Sequence, residues 1–171
     1  MGLSTITTSS GGAEPPEEES EVSLKGLKST CFCALNARWG MLGPYWFEDT
    51  NGKMVTVNGE RYRKVLHRFH ANLTQLLSPN QLRLSWFMQD GAPPYTAGET
   101  IDLLHQLFRN RVISQATVHE RALHSLDLNP LDFIFWGAAK GQLYANKPRT
   151  LAVLKQEVED YCQATAPATC R

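Results

Sequence analysis

Two aspartates stand where this chain could hold a divalent cation. Asp90 closes the run Leu82-Arg-Leu-Ser-Trp-Phe-Met-Gln-Asp90, whose apolar members Leu82, Leu84, Trp86, Phe87 and Met88 have strand length and which Gly91, Pro93 and Pro94 stop. A mostly parallel sheet presents such a residue at the carboxyl edge of a strand, where α/β folds place ligands. Asp-Gly is equally ordinary turn chemistry. Asp132 follows Asn129-Pro130, which reads as the cap and first position of a helix. An acid there meets free backbone N–H groups and the helix dipole, so capping alone also accounts for it. The 41 residues between the two acids contain one expected helix and one expected strand, and a strand, crossover helix and strand return the chain to the same sheet edge. Side by side, Asp90 and Asp132 are the minimum for one Mg²⁺ or Mn²⁺. A two-ion phosphoryl-transfer site, with ions about 4 Å apart, wants a third carboxylate.

The elements that must position these acids follow from patterning. Cys31, Cys33 and Leu35 alternate with Phe32 and Ala34, and after Asn36 to Gly40 a second run follows from Met41 to Phe47, which fits two strands and a turn. Thr50-Asn51-Gly52 turns the chain again, Val55-Thr56-Val57 extends briefly, and Asn58 can cap a helix. That helix carries Tyr62, Val65, Leu66, Phe69, Leu73 and Leu76 on one face and should end near Ser78-Pro79. Beyond the Asp90 strand, Thr96-Ala97-Gly98-Glu99 reads as a capping box, with Ile101, Leu104, Leu107 and Phe108 as the buried stripe. Val112-Ile113-Ser114 is a short buried strand, residues 115 to 126 a loop, and Leu131, Phe133, Ile134, Phe135 and Trp136 a helix apolar nearly all round. A last helix starts near Thr150 with Leu151, Leu154, Val158 and Tyr161 inward and Lys155, Glu157 and Glu159 toward water; order should end at Pro167.

With 171 residues the chain has room for one domain and tails. Residues 1 to 28 are rich in Ser, Thr, Gly, Pro and Glu and are expected to be a disordered acidic tail; residues 29 to 163 form the domain and 164 to 171 a second disordered tail. The formal charge of zero is a cancellation: no Lys or Arg precedes Lys25, and from Val22 onward 12 acids face 17 bases, a body of about +5. Such a body permits weak, non-specific contact with DNA. Cys31, Cys33, Cys162 and Cys170 read as reduced thiols of an intracellular protein, nuclear or cytoplasmic. No stretch approaches 18 apolar residues, and the first 20 carry neither a basic start nor an apolar core, so neither a membrane span nor secretion is expected.

Other constellations have plainer readings. His67 and His70, one turn apart beside Arg63 and Arg68, read as a solvated polar face with no third ligand at zinc spacing. Cys31 and Cys33 share a strand face and read as core. Arg61, Arg63, Lys64 and Arg68 form a basic helix side, solvated or touching DNA phosphates. Trp46, Trp86 and Trp136 sit in apolar runs and read as core rather than as base-stacking platforms.

Five segments occur together in one order: Gly43-Pro44-Tyr45-Trp46-Phe47-Glu48-Asp49, Val55-Thr56-Val57-Asn58-Gly59-Glu60-Arg61-Tyr62-Arg63, Trp86-Phe87-Met88-Gln89-Asp90-Gly91-Ala92, Arg111-Val112-Ile113-Ser114 and Asp127-Leu128-Asn129-Pro130-Leu131-Asp132-Phe133. From about Thr30 to Tyr161 the chain thereby resembles the catalytic domain of mariner-type transposases. The resemblance implies a ribonuclease-H-like α/β fold, a mixed sheet with flanking helices. It also implies an acid triad that binds two Mg²⁺ ions, cuts element ends and joins them to target DNA, with Asp90 on the second acid and Asp132 on the third. The family's first acid lies on the central strand, upstream of the matching region; here that region is the Ser, Gly and Glu tail. Hence the first acid, the first central strand and the helix-turn-helix domains are expected to be absent. The family's His-Thr-Ala reads Tyr95-Thr96-Ala97, and its Ser-Pro-Asp-Leu reads Ser125-Leu126-Asp127-Leu128, without the proline that steadies the loop aiming Asp132. Glu17, Glu18 or Glu19 are the nearest stand-ins, but a flexible tail does not hold a ligand within the ~0.5 Å that a preorganised site needs. A sheet without its central strand exposes an edge that invites pairing with an intact transposase or another copy. The expected reading is a transposase-derived domain without strand-transfer activity.

Overall fold

The computed structural model describes residues 2–7, 29–36, 39–115, 117, 139, 141–143, 148 and 150–165. Asp132, Trp136, Ser125-Leu126-Asp127-Leu128, Cys170, Pro167 and the glutamates at 17, 18 and 19 lie outside the described residues. Five strands form one sheet: β1 (Gly2–Thr7), β2 (Thr30–Asn36), β3 (Gly40–Trp46), β4 (Phe87–Met88) and β5 (Val112–Ile113). Their order is β3-β2-β1-β4-β5. β1 with β2 and β2 with β3 are antiparallel, whereas β1 with β4 and β4 with β5 are parallel.

The central strand is therefore present, which corrects the expectation of a sheet lacking it. Gly2–Thr7, expected within the tail, pairs from Gly2↔Leu35 to Thr7↔Thr30 and meets β4 at Gly2↔Met88. Composition averaged over 28 residues hid this segment, in which Thr5, Ile6 and Thr7 are β-branched. The neighbours decide the matter, because β2 and β4 would each leave a row of backbone donors and acceptors unpaired without it. With the gap filled, the argument for pairing with a second chain through that edge loses its basis.

The β2–β3 hairpin forms as its alternation suggests, with a register shift between Phe32 and Ala34. Gly43 sits opposite that shift at φ +120°, and a Cβ there would lie 2.9 Å from the Phe32 carbonyl oxygen, so glycine is required. β2 is buried on both faces. Phe32 and Ala34 join one core with Tyr45, Phe47, Tyr62, Phe69, Phe87, Leu104 and Phe108, while Cys31, Cys33 and Leu35 join a second with Ala139, Leu143, Leu154, Val158 and Cys162. The result is a sheet between two helical layers.

Helix α1 (Gly59–Leu76) starts at Asn58, whose Oδ1 accepts from Arg61 N at 2.9 Å. Tyr62, Val65, Leu66, Phe69 and Leu73 are buried, but Leu76 is 50% exposed and Leu77, beyond the helix, closes the core at 4%. Leu82 and Leu84, expected in the Asp90 strand, belong instead to helix α2 (Pro79–Leu84). Ser78 and Gln81 form its capping box, so local capping wins over the apolar run. α3 (Pro93–Thr96) and α4 (Gly98–Phe108) follow. The expected capping box at Thr96 does not form: Thr96 ends α3, the N-cap is Ala97, and Glu99 reaches Arg63 on α1 at 2.7 Å.

α5 (Leu151–Ala164) is capped by Thr150, as its sequence suggests. Lys155 and Glu159 do not simply face water. Lys155 pairs with Glu48, and Glu159 accepts from Trp46 Nε1 at 3.0 Å, which ties α5 to β3. Cys31, Cys33 and Cys162 are free and buried, with Cys33 Sγ 4.0 Å from Cys162 Sγ. Trp46 is half-buried against the second core, as a core residue would be, but Trp86 is 39% exposed and is not core. His70 is not a solvated residue either: it is half-buried, edge-on to Phe108 at 5.6 Å.

Candidate functional site

Asp90 leaves the carboxyl end of β4, the central parallel strand flanked by β1 and β5. The residue before it explains how it is held. Gln89 is 1% exposed and its side chain is fully engaged: Nε2 donates to the Tyr95 carbonyl oxygen at 2.8 Å and to Ser114 Oγ at 3.1 Å, and Oε1 accepts from the Tyr62 hydroxyl at 2.8 Å. Its backbone N donates to Ile113 O at 3.1 Å. Four elements, α1, β4, α3 and the end of β5, thus converge on one amide. A buried amide satisfied at both its nitrogen and its oxygen rigidifies its surroundings, because breaking any bond leaves a partner unpaired at low dielectric.

The half-buried Asp90 then turns the chain. Its Oδ1 accepts from Ala92 N at 3.1 Å, and Tyr95 N donates to Ala92 O at 2.8 Å, so the Gly-Ala-Pro-Pro segment closes into α3. The Asp-Gly turn chemistry expected of the sequence is thus formed by Asp90 itself. Gly91 lies under Gln115: a Cβ there would come within 2.0 Å of Gln115 Oε1, so the β5 loop sits directly over the turn. Tyr95, where the resembled family has histidine, is buried with its ring 4.3 Å from that of Tyr62. Burial, then Tyr95 and then the Asp90 charge hold the Tyr62 phenol well above its ordinary pKa, so it remains a donor to Gln89.

β1 stands beside β4, and the two strands meet at the pair Gly2↔Met88. The strand reads Gly-Leu-Ser-Thr-Ile-Thr and carries no carboxylate. Among the described residues no group of three or more His, Cys, Asp or Glu side chains could hold a metal ion. Asp90 places one carboxylate at this edge, and Asp132, expected beside it, lies outside the described residues. A two-ion centre does not fit the donors described.

The basic side of α1 is engaged at home. Arg61 Nη1 donates to Thr56 O at 2.7 Å, Arg63 pairs with Glu99, Lys64 pairs with Glu60 at 2.6 Å, and Arg68 lies 5.9 Å from the Tyr45 ring centroid. Sequence reading passed over Gln89, for which the one available signal was a polar residue inside an apolar strand run. Among the described residues no helix is long and apolar enough to cross a membrane.

The sheet order, with an antiparallel meander joined to two parallel strands, and the helices on both faces define a ribonuclease-H-like domain. The fold is that of a mariner-type transposase catalytic domain. It is similar to the catalytic domain of Mos1 transposase solved with raltegravir and Mn, at a TM-score of 0.66 and 21% identity over 83% of this chain and 66% of that one. It is similar also to a pre-cleavage Mos1 transpososome, at a TM-score of 0.69 and 17% identity over 98% of this chain and 48% of that one. The chain therefore spans about two thirds of the solved catalytic domain and about half of the transposase in the transpososome. No protein-family model and no curated protein matches it.

Proposed function

We propose that this is a transposase-derived domain of the mariner superfamily that contacts DNA without sequence preference and has no strand-transfer activity. The observation that carries the reading is the pairing of an intact Asp90 edge with a central strand that bears no acid. The five motifs in register and the likeness to Mos1 structures, among them paired-end and strand-transfer complexes, support a DNA partner. Mos1 catalytic domains have been solved with Mn and with Mg, which supports the divalent class of cation. In this chain Asp90 and Asp132 are the residues assigned to a single Mg²⁺ or Mn²⁺, whose chemistry when bound is to polarise a phosphoryl oxygen. What the chain's own residues do is hold Asp90: Tyr62, Ser114 and the Tyr95 carbonyl lock Gln89, and Gln89 fixes the strand end.

The test combines salt-dependent DNA binding with a strand-transfer assay in Mn²⁺. The expected result is binding that weakens steeply with salt and no joined product. Joined product from the wild-type chain, absent in Asp90→Asn, would overturn the impaired reading. Nicking equal in wild type, Asp90→Asn and Asp132→Asn is contamination and leaves no metal-dependent cleavage to assign.

A further inference from the structure

The sheet edge opposite Asp90 has a composition that the metal reading does not use. From Arg61 to Gln89, and again from Leu103 to His119, the sequence contains no Asp or Glu. The fold brings together one end of each stretch. α2 finishes with Arg83 in its last turn, and Leu84, Ser85 and Trp86 lead into β4. α4 finishes in the left-handed residues Arg109 and Asn110, at φ 50° and 64°, and Arg111 leads into β5.

The two strand starts are bonded to each other. Phe87 N donates to Arg111 O at 2.9 Å, and Arg111 Nε donates to Ser85 O at 3.2 Å, which lays that guanidinium against the end of α2. Arg83 and Arg109 are exposed, and neither makes an ion pair with another described residue, in contrast to Arg63 and Lys64. Between them Leu84 is 66% exposed and Trp86 is 39% exposed. Guanidinium groups with no acidic partner among the described residues select phosphate, and the exposed part of the Trp86 indole beside them offers aromatic surface against which a base can pack.

We propose that the edge formed by Arg83, Trp86, Arg109 and Arg111 binds single-stranded nucleic acid, with phosphates on the arginines and a base on Trp86. This surface lies at the amino ends of β4 and β5, away from the Asp90 edge at their carboxyl ends. The proposal rests on the DNA-contacting reading above and names the surface responsible for part of it. A single strand fits better than a duplex because only unpaired bases expose a face to Trp86.

The experiment is fluorescence anisotropy of the full chain with a labelled oligothymidylate of about 20 nucleotides and with a duplex of equal length. Wild type is compared with Arg83→Gln/Arg109→Gln and with Trp86→Ala, each checked for folding by circular dichroism. The double variant should weaken single-strand binding about tenfold at low salt and flatten the plot of log K against log salt by roughly 1.4, the slope of two lost phosphates. Trp86→Ala should weaken single-strand binding about tenfold with the slope unchanged and leave duplex binding alone.

Salt-dependent binding that all these variants retain would overturn this proposal while the DNA-contacting reading stands. Absence of binding by the wild-type chain to either DNA would overturn both. Competition by polyglutamate as effective as by unlabelled oligothymidylate of equal charge would assign the edge to an acidic protein instead and also overturn it.

Discussion

The hydroxyl of Tyr62, on α1, donates to Gln89 Oε1 at 2.8 Å, one residue before Asp90. The helix thereby holds the end of the strand that presents the acid, across 27 positions of sequence. Tyr62→Phe removes one donor and leaves a buried amide oxygen unpaired, at a cost of about 1–3 kcal/mol in a urea melt. Gln89→Leu strands the Tyr62 and Ser114 hydroxyls together and should cost more than Tyr62→Phe. Equal stability of wild type and Gln89→Leu would show that the amide holds nothing.

A carboxylate can be added to β1. Counting two residues on from the Gly2↔Met88 pair in both segments aligns Ser4 with Asp90, so Ser4→Asp is expected to add a second carboxylate near that of Asp90. Isothermal titration with Mn²⁺ should show binding about tenfold tighter in Ser4→Asp than in wild type, with the gain cancelled in Ser4→Asp/Asp90→Asn. A gain that survives Asp90→Asn would place the new ion away from this edge.

Two positions of the apolar stripe on α1 that look alike in sequence should behave differently. Phe69 is fully buried among Phe32, Tyr45, Phe87 and Phe108, whereas Leu76 is 50% exposed. Phe69→Ala should cost about 3–5 kcal/mol through lost burial and an unfilled cavity. Leu76→Ala should stay within about 0.5 kcal/mol of wild type. Chemical denaturation of both variants decides the point.

Acidification should loosen the α1–α4 contact. Burial holds the His70 imidazole below its ordinary value of 6.5, with a hydrogen bond to the Leu107 backbone opposing this and His67 adding to it. The unfolded chain therefore takes up a proton before the native one does. His70 contributes no pH dependence well above 6.5, and stability falls as pH drops from that value through the depressed native pKa. In His70→Gln the fall across this window should shrink; an unchanged profile would assign it to other groups.

Much of this arrangement was already legible in short-range patterns. The Asn58 cap and the three-and-four spacing from Tyr62 to Leu73 specify α1, Thr150 specifies the start of α5, and the alternation from Cys31 to Leu35 specifies a strand with two buried faces. The glycine and prolines after Asp90 place that acid at a strand end, and five motifs in order point to the fold. These signals are local because caps, turns and side-chain periods act over a few residues.

Tertiary structure decided the rest. Gly2–Thr7 becomes the central strand because β2 and β4 offer unpaired ladders on either side, a demand set by residues about 30 and 86 positions away. Glu99 leaves the expected capping box for Arg63, and Leu82 and Leu84 leave the strand for α2. Gln89 acquires its role only where Tyr62, Tyr95 and Ser114 meet it. Such outcomes depend on which partners the fold brings within hydrogen-bonding reach, and no run of neighbouring residues encodes that.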